Sequence, residues 1–164
     1  MLENFYPDEY LDSAYQIEFD HLYREGYRGI IFDVDNTLVP HGAPADERAK
    51  RLFTYLKELG YGCCLLSNNK EPRVKMFNDV VQVQYIFKAG KPNRSGYERA
   101  MELMGTNRKN TLFVGDQIFT DVYGANRAGI HTILTKPIHP KEEIQIVLKR
   151  YLEKVVLFFY NRRK

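Results

Sequence analysis

Near its amino-terminal end the chain reads Gly29-Ile30-Ile31-Phe32-Asp33-Val34-Asp35-Asn36-Thr37. A short apolar run that ends in two aspartates predicts a buried strand with carboxylates at its carboxyl end. Four further apolar runs predict strands, at residues 61–67, 85–87, 111–115 and 131–135. Continuous apolar strands of this length are typical of a parallel sheet covered on both faces.

Helical periodicity fills the intervals between these strands. Apolar residues recur at helical spacing in 46–59, 71–80, 94–104 and 117–128, and a longer helix is predicted from Pro140 to about Tyr160. Alternating strands and helices predict an α/β fold. We therefore expect a single doubly wound, Rossmann-like parallel sheet of about five strands, flanked by helices, within one domain covering residues 1–164.

Polar side chains follow four of the five predicted strands. Ligands of such sheets bind beyond the carboxyl ends of the strands, so these residues are expected to meet at one edge. They are, in chain order, Asp33 and Asp35, Ser67 and Asn68, Lys88 and Lys91, and Asp116.

Asp33 and Asp35 point to the same side of the chain because alternate residues of an extended segment share a face. One carboxylate can act as a nucleophile and the second as a general acid and base. Two such carboxylates repel each other and favour a cation, and Mg²⁺ prefers oxygen ligands and phosphate. Taken alone, an Asp-x-Asp pair is better explained as a turn cap, so the other strand ends carry the argument.

The remaining strand ends have alternative interpretations as well. Asp116 is a third carboxylate for a metal site or a helix N-cap, and Asp121 is a supporting group or a first-turn acid. The Ser67 hydroxyl suits a phosphate contact before a helix. Lys91 or Lys88 supplies a cation for phosphate oxygens, although a single lysine is usually a solvated surface residue.

Together these segments resemble the haloacid dehalogenase superfamily. Its four motifs occur in order over residues 29–135, as DVDNT at 33–37, Ser67 after an apolar strand, Lys91-Pro92, and GDQIFTD at 115–121. The stretches DVDNTLVP, LLSNNKEPRV, AGKP and GDQIFTDVYGANRAGI resemble more closely the YqeG-like branch of its subfamily IIIA phosphatases.

The resemblance implies a phosphatase with a role for each motif residue. Asp33 is then the nucleophile, and Asp35, which dehalogenases lack, protonates the leaving group and later activates water. Ser67, Asn68 and Lys91 bind the phosphoryl group. Mg²⁺ binds the carboxylates of Asp33 and Asp116 and the backbone carbonyl of Asp35, while Thr37 and Asp121 support the site.

Substrate choice is less constrained by the residues. The intervals 38–66 and 68–90 are filled by a predicted helix and strand each, so no cap domain is expected and the site is open. The YqeG-like branch resembles mitochondrial phosphatidylglycerophosphate phosphatases, which implies a lipid phosphate and a role in phospholipid biosynthesis. Soluble sugar phosphates, nucleotides and polynucleotide ends are the alternatives.

The carboxyl-terminal residues concentrate the basic charge of the chain. The formal net charge is +3, and six basic residues lie within 149–164 beside a single acid, Glu153. Because this basicity is local, no nucleic-acid partner is predicted. The segment 140–164 is expected to be an amphipathic helix with a basic end, which suits either an anionic membrane surface or packing on the core. The Tyr-rich arm 1–28 has no assigned role.

The compartment is predicted from cysteine usage and the amino terminus. Cys63 and Cys64 are adjacent in a strand, point to opposite faces and are interpreted as buried small hydrophobes in a reducing compartment. The start MLENFYPDEY lacks the pattern of a secretory signal, and no run is long enough to cross a bilayer. A cytoplasmic protein is therefore expected, and the alternative is one that binds peripherally to a membrane.

Two other classes of protein share parts of this pattern. A signalling receiver domain also phosphorylates an aspartate in a doubly wound sheet, but its aspartate is not followed by Asp-Asn-Thr. A non-catalytic scaffold could retain the metal site, but it has no chemical reason to keep the full set of motif residues.

Overall fold

The computed structural model describes residues 2–139 and 144–163, with backbone only for 144–147. Within these residues one sheet contains six parallel strands in the order β1-β6-β5-β2-β3-β4. The strands are β1 (Glu9–Leu11), β2 (Gly29–Phe32), β3 (Gly62–Leu66), β4 (Gln84–Ile86), β5 (Thr111–Gly115) and β6 (His131–Thr135). The helices are α1 (Phe19–Arg24), α2 (Glu47–Leu59), α3 (Glu71–Val81), α4 (Arg94–Met104), α5 (Tyr123–Arg127) and α6 (Ile144–Arg163).

The central strand β2 is buried on both faces between β5 and β3. Ile30 packs in one apolar cluster, and its neighbour Ile31 packs in a second cluster on the other face. The same alternation places the free, buried Cys63 and Cys64 on opposite faces. The predicted doubly wound sheet without a cap is therefore confirmed.

Local signals in the sequence set the bounds of α2. The Asp46 carboxylate accepts the backbone N–H of Ala49 at 2.8 Å, which caps the first turn. Gly60 ends the helix with a φ of 105°, a left-handed conformation that costs glycine little. Because α2 starts and stops on such signals, its predicted bounds are accurate to one residue.

Two elements differ from the sequence prediction, and one predicted boundary is not tested. The arm contributes β1, so the sheet has six strands where about five were predicted. Two hydrogen bonds join the residue before this strand to β6. The N–H of Asp8 donates to Thr132 Oγ1 at 2.9 Å, and the Asp8 carboxylate accepts the N–H of Thr132 at 2.8 Å. The predicted helix 117–128 is instead a π-helical turn, Ile118–Val122, followed by the short α5. The last helix is described from Ile144 to Arg163, and its predicted start at Pro140 lies outside the described residues.

None of the described helices combines the length and the apolar character that spanning a bilayer requires.

Candidate active site

The carboxyl edge of the sheet gathers the predicted strand-end residues. Asp33 follows β2, Ser67 follows β3, Asp116 follows β5, and Lys91 lies in the loop after β4. All four are buried, with at most 8% of each residue exposed. Charged side chains are buried to this extent only when they are paired, and here the partners are other charged residues of the same site.

Lys91 lies between two carboxylates. Its Nζ is 3.0 Å from Asp33 Oδ1 and 2.7 Å from Asp121 Oδ1. Burial by itself lowers the pKa of Lys91, but the charges of Asp121 and Asp33 outweigh it and raise that pKa above its usual value. Lys91 is therefore a fixed cation beside the Asp33 carboxylate.

Lys88, the alternative cation, is exposed and does not share this position. Its backbone N–H donates to the carbonyl of Asn69 at 2.9 Å. Asn68 instead holds the backbone of Lys91, accepting its N–H at 2.7 Å and donating to its carbonyl at 3.1 Å. Asn68 thus positions the lysine, and the Oγ of its neighbour Ser67 accepts the N–H of Asn69 at 3.0 Å.

Three carboxylates form a compact cluster at the centre of the edge. Asp33, Asp116 and Asp121 each offer an oxygen within 4.8 Å of the others. The Thr37 hydroxyl lies 3.1 Å from both Asp33 Oδ2 and Asp116 Oδ1, and it links the two. Gly115 makes room for this cluster, because a Cβ there would lie 2.6 Å from Asp121 Oδ2.

The crowding of negative charge shifts the titration of the cluster. Burial and the Asp33 charge raise the pKa of Asp116 well above its usual value, against the opposing effect of Arg150. Burial and the same Asp33 charge raise the pKa of Asp121 to about 6, although Lys91 opposes them. Closely spaced oxygen ligands with unfavourable mutual repulsion are suited to a hard divalent cation. The donor set therefore fits a divalent metal site.

Asp35 faces a different environment from that of Asp33. Its Oδ1 accepts the N–H of Gly42 at 2.7 Å and two N–H groups of Arg73, from Nη2 at 2.9 Å and Nε at 3.1 Å. Burial favours a higher pKa for Asp35, but the Gly42 and Arg73 contacts outweigh it and lower that pKa. The resting Asp35 side chain is consequently an ionised carboxylate.

Two arginines at this edge were not identified from the sequence. Arg73 lies in the first turn of α3, and only its position shortly after Ser67 hinted at the site. Arg150 lies on α6, and its guanidinium pairs with the Asp116 carboxylate and backbone carbonyl. It also donates to Glu153 at 3.1 Å. No sequence signal distinguishes Arg150 from the other basic residues of that helix.

A buried aspartate after the central strand, a lysine beside it and two further carboxylates define the haloacid dehalogenase class of hydrolases. The family model for HAD-hydrolase-like proteins matches residues 88–142. Among solved structures, the cobalt-bound deoxy-D-mannose-octulosonate 8-phosphate phosphatase of Haemophilus influenzae shares the fold, with a TM-score of 0.52 and 14% identity. That match covers 69% of this chain and 80% of the other.

Two relatives identify the family within this class of hydrolases. The probable phosphatase YqeG of Bacillus subtilis is 36% identical, and the match covers 99% of this chain and 96% of that protein. The chloroplastic/mitochondrial phosphatidylglycerophosphate phosphatase 1 of Arabidopsis thaliana is 28% identical, over 84% of this chain and 45% of that protein. The chain therefore belongs to the YqeG-like family of HAD phosphatases. It is a hydrolase of phosphoric monoesters, and the predicted superfamily and enzyme class are confirmed.

Proposed function

We propose that this phosphatase requires Mg²⁺, forms an aspartyl-phosphate on Asp33 and acts on phosphatidylglycerophosphate. The observation that carries the catalytic part is the position of Asp33, whose carboxylate lies 3.0 Å from Lys91 Nζ within a cluster of three buried carboxylates. The proposed nucleophile Asp33 therefore lies next to both the lysine cation and the other two carboxylates.

The first step transfers the phosphoryl group to the protein. An Asp33 carboxylate oxygen attacks phosphorus, the bond from phosphorus to the ester oxygen breaks, and Asp35 gives a proton to the departing alcohol. Asp35 is ionised at rest, so it must first take up a proton. The negative charge of an incoming phosphate favours that uptake because like charges raise the pKa of a carboxyl group.

The second step restores the enzyme. Asp35, again a carboxylate, takes a proton from water, the water oxygen attacks phosphorus, and Asp33 is released with inorganic phosphate as the product. Lys91 and the Ser67 hydroxyl contact the phosphoryl oxygens, and Lys91, whose backbone Asn68 holds, offsets the charge that develops on them.

The chain's residues also define where a cation belongs. Asp33 and Asp116 would hold Mg²⁺, with Asp121 as a supporting group, and the ion would offset the repulsion between the Asp33 carboxylate and the phosphate dianion. Arg150 is the residue that balances Asp116 when no metal is present.

The lipid substrate is supported by the name of the Arabidopsis relative and by the orientation of α6. Six large apolar side chains of this helix are between 46% and 68% exposed: Leu148, Tyr151, Leu152, Val155, Phe158 and Phe159. The opposite face packs through the buried Glu153, Val156 and Tyr160. The predicted apolar stripe thus faces outward, beside the exposed Arg162 and Arg163. An apolar face with basic ends suits peripheral binding to an anionic membrane.

The test is Mg²⁺-dependent phosphate release from phosphatidylglycerophosphate in mixed micelles, beside a panel of soluble sugar phosphates and nucleotides. Preference for the lipid supports the whole proposal. Turnover of soluble esters alone would discard the lipid, and no release from any ester would favour a scaffold that retains the metal site.

Replacing the nucleophile tests the mechanism directly. Asp33→Asn keeps the shape of the side chain but removes the attacking oxygen, so we expect activity below about 0.1% of the native value. Asp79→Asn, at an exposed position of α3, is the matched control and should retain full activity. Activity of the Asp33 variant equal to that of the control would overturn the aspartyl-phosphate mechanism.

A further inference from the structure

A cavity of about 360 Å³ lies under α6, next to the carboxylate cluster. Asp116 forms part of one wall, and the ends of β1 and β6 and the following loop contribute Tyr10, Leu134 and Pro137. Volumes of this size are typical of small-molecule sites. Asp116 also shares the Thr37 hydroxyl with Asp33, so its side chain connects the wall of the cavity to the carboxylate cluster.

The walls of this cavity combine apolar side chains with charged groups, of which the carboxylates of Asp116 and Glu153 are both paired with Arg150. Arg150 lines it and is held between Asp116 and Glu153. Lys154 lines it one turn further along α6 and has no hydrogen bond or ion pair within the described part of the chain. An uncompensated lysine beside apolar walls is complementary to a molecule that carries both an alkyl part and an anion.

Thr135 also lines the cavity and points independently to a ligand. The residue is 1% exposed, and its Oγ1 finds no hydrogen-bond partner among the described residues. A buried hydroxyl without a partner costs free energy in the unliganded protein. A ligand that supplies a hydrogen-bonding oxygen would remove that cost.

We infer that this cavity is the leaving-group site of the phosphatase, and that it takes the alcohol half of an amphipathic phosphomonoester that bears a second anionic group. The alkyl part lies against Leu134, Pro137 and Leu157, and the second anion faces Lys154. The helix α6 thus provides the substrate selection that an inserted cap domain would otherwise supply. The inference rests on the proposed function for the position of the reacting phosphate.

Binding of the product half tests this site without any catalytic turnover. The probe is dihexanoylphosphatidylglycerol below its micellar concentration, titrated calorimetrically into the full-length, metal-loaded protein. Lys154→Gln removes the cation that faces the second anion, and we expect its Kd to rise about tenfold. The matched control Lys109→Gln, in the exposed loop before β5, should bind like the native protein.

Thr135→Val separates a ligand contact from a structural role. Valine has nearly the same shape and lacks the unpaired hydroxyl, so the melting temperature should stay level or rise, while the Kd rises about threefold. A fall in melting temperature with unchanged Kd would assign the hydroxyl to the fold and contradict the inference.

The deacylated headgroup, glycerophosphoglycerol, tests the apolar walls. We expect it to bind at least about tenfold more weakly than the dihexanoyl probe because it lacks the alkyl groups. Equal affinity of both probes, or of native and Lys154→Gln protein, would overturn the site. Normal probe binding by a protein that hydrolyses no phosphomonoester would instead refute the proposed function and leave the cavity as a lipid site.

Discussion

Arg150 neutralises the Asp116 carboxylate, which is also one of the proposed metal ligands. Its guanidinium contacts both the carboxylate and the backbone carbonyl of Asp116. A buried carboxylate near two others needs a positive partner, and either an arginine or a metal ion can supply it. The two therefore compete for the same charge.

Removing Arg150 should strengthen metal binding. In Arg150→Gln the Asp116 carboxylate loses its arginine partner. We therefore expect the Kd for Mg²⁺, measured by titration calorimetry, to fall about tenfold. Lys149→Gln, on the exposed side of the same helix, is the control. Weaker Mg²⁺ binding by the Arg150 variant would mean that the arginine organises the site instead of competing for it.

Arg73 sets the ionisation of the proposed acid and base. Its guanidinium contributes two of the hydrogen bonds that lower the pKa of Asp35. In Arg73→Gln that pKa should rise, because the charge and hydrogen bonds of the guanidinium are lost, and carboxyl carbon NMR titration measures the change. Lys75→Gln, exposed on the same helix, should leave it unchanged. An unaltered Asp35 titration in the Arg73 variant would assign the low pKa to the Gly42 N–H.

At the scale of the element, α6 is a helix with two different faces. Glu153 accepts the N–H of Ile118 at 3.1 Å, and Val156 packs with Ile118, Val122 and Leu134. The outward face exposes aromatic and aliphatic side chains that no described residue covers. Such contiguous apolar surface usually marks an interaction site.

Two substitutions on that outward face should separate membrane binding from folding. The double variant Leu152→Ser and Phe159→Ser removes two half-exposed apolar side chains, so co-sedimentation with anionic phosphatidylglycerol vesicles should fall at least about tenfold. Its melting temperature should barely change, because neither side chain is buried. Leu103→Ser, at a side chain of α4 that is 40% exposed, is the matched control. Undiminished vesicle binding would remove α6 from the membrane contact.

Site residues at strand ends could be predicted from the sequence, whereas site residues on helices could not. Asp33, Ser67, Lys91 and Asp116 follow apolar strands, and parallel pairing brings such residues together whatever the details of packing. Arg73 and Arg150 reach the site only because of how α3 and α6 dock, which periodicity does not encode. The Asp35 carboxylate was expected near the phosphate, and its contact with Arg73 was not foreseen.

At the scale of the whole molecule, the carboxylate cluster links stability to pH. The raised pKa values of Asp116 and Asp121 mean that the folded protein holds more protons than the unfolded chain between the usual carboxyl pKa and about pH 6. This contribution to the free energy of unfolding is present at low pH and is lost as the pH rises through about 6. A divalent cation bound by the three carboxylates would compensate for the loss of these protons.

Mg²⁺ should therefore stabilise the protein more at higher pH. We expect the rise in melting temperature on adding saturating Mg²⁺ to be larger at about pH 7.5 than at about pH 5, because protons compete for the carboxylates at the lower pH. In Asp121→Asn the difference between the two conditions should shrink. An equal rise at both values in the native protein would exclude this cluster as the metal site.

The edge strand β1 shows the limit of sequence patterns at this scale. Glu9-Tyr10-Leu11 is too short to be recognised as a strand from its sequence, and it is a strand only because β6 pairs with it, as in Tyr10 opposite Leu134. The five other strands were predicted because each is apolar and continuous. Pairing between distant segments depends on the assembled sheet.

This pairing of the first strand with the last has a consequence for biosynthesis. A ribosome delivers Glu9–Leu11 well before His131–Thr135, so the early segment has no strand partner until the later strand has emerged. The hydrogen bonds between Asp8 and Thr132 likewise form only after Thr132 has emerged. The pair of β2 and β3 can therefore form before the β1 edge of the sheet closes.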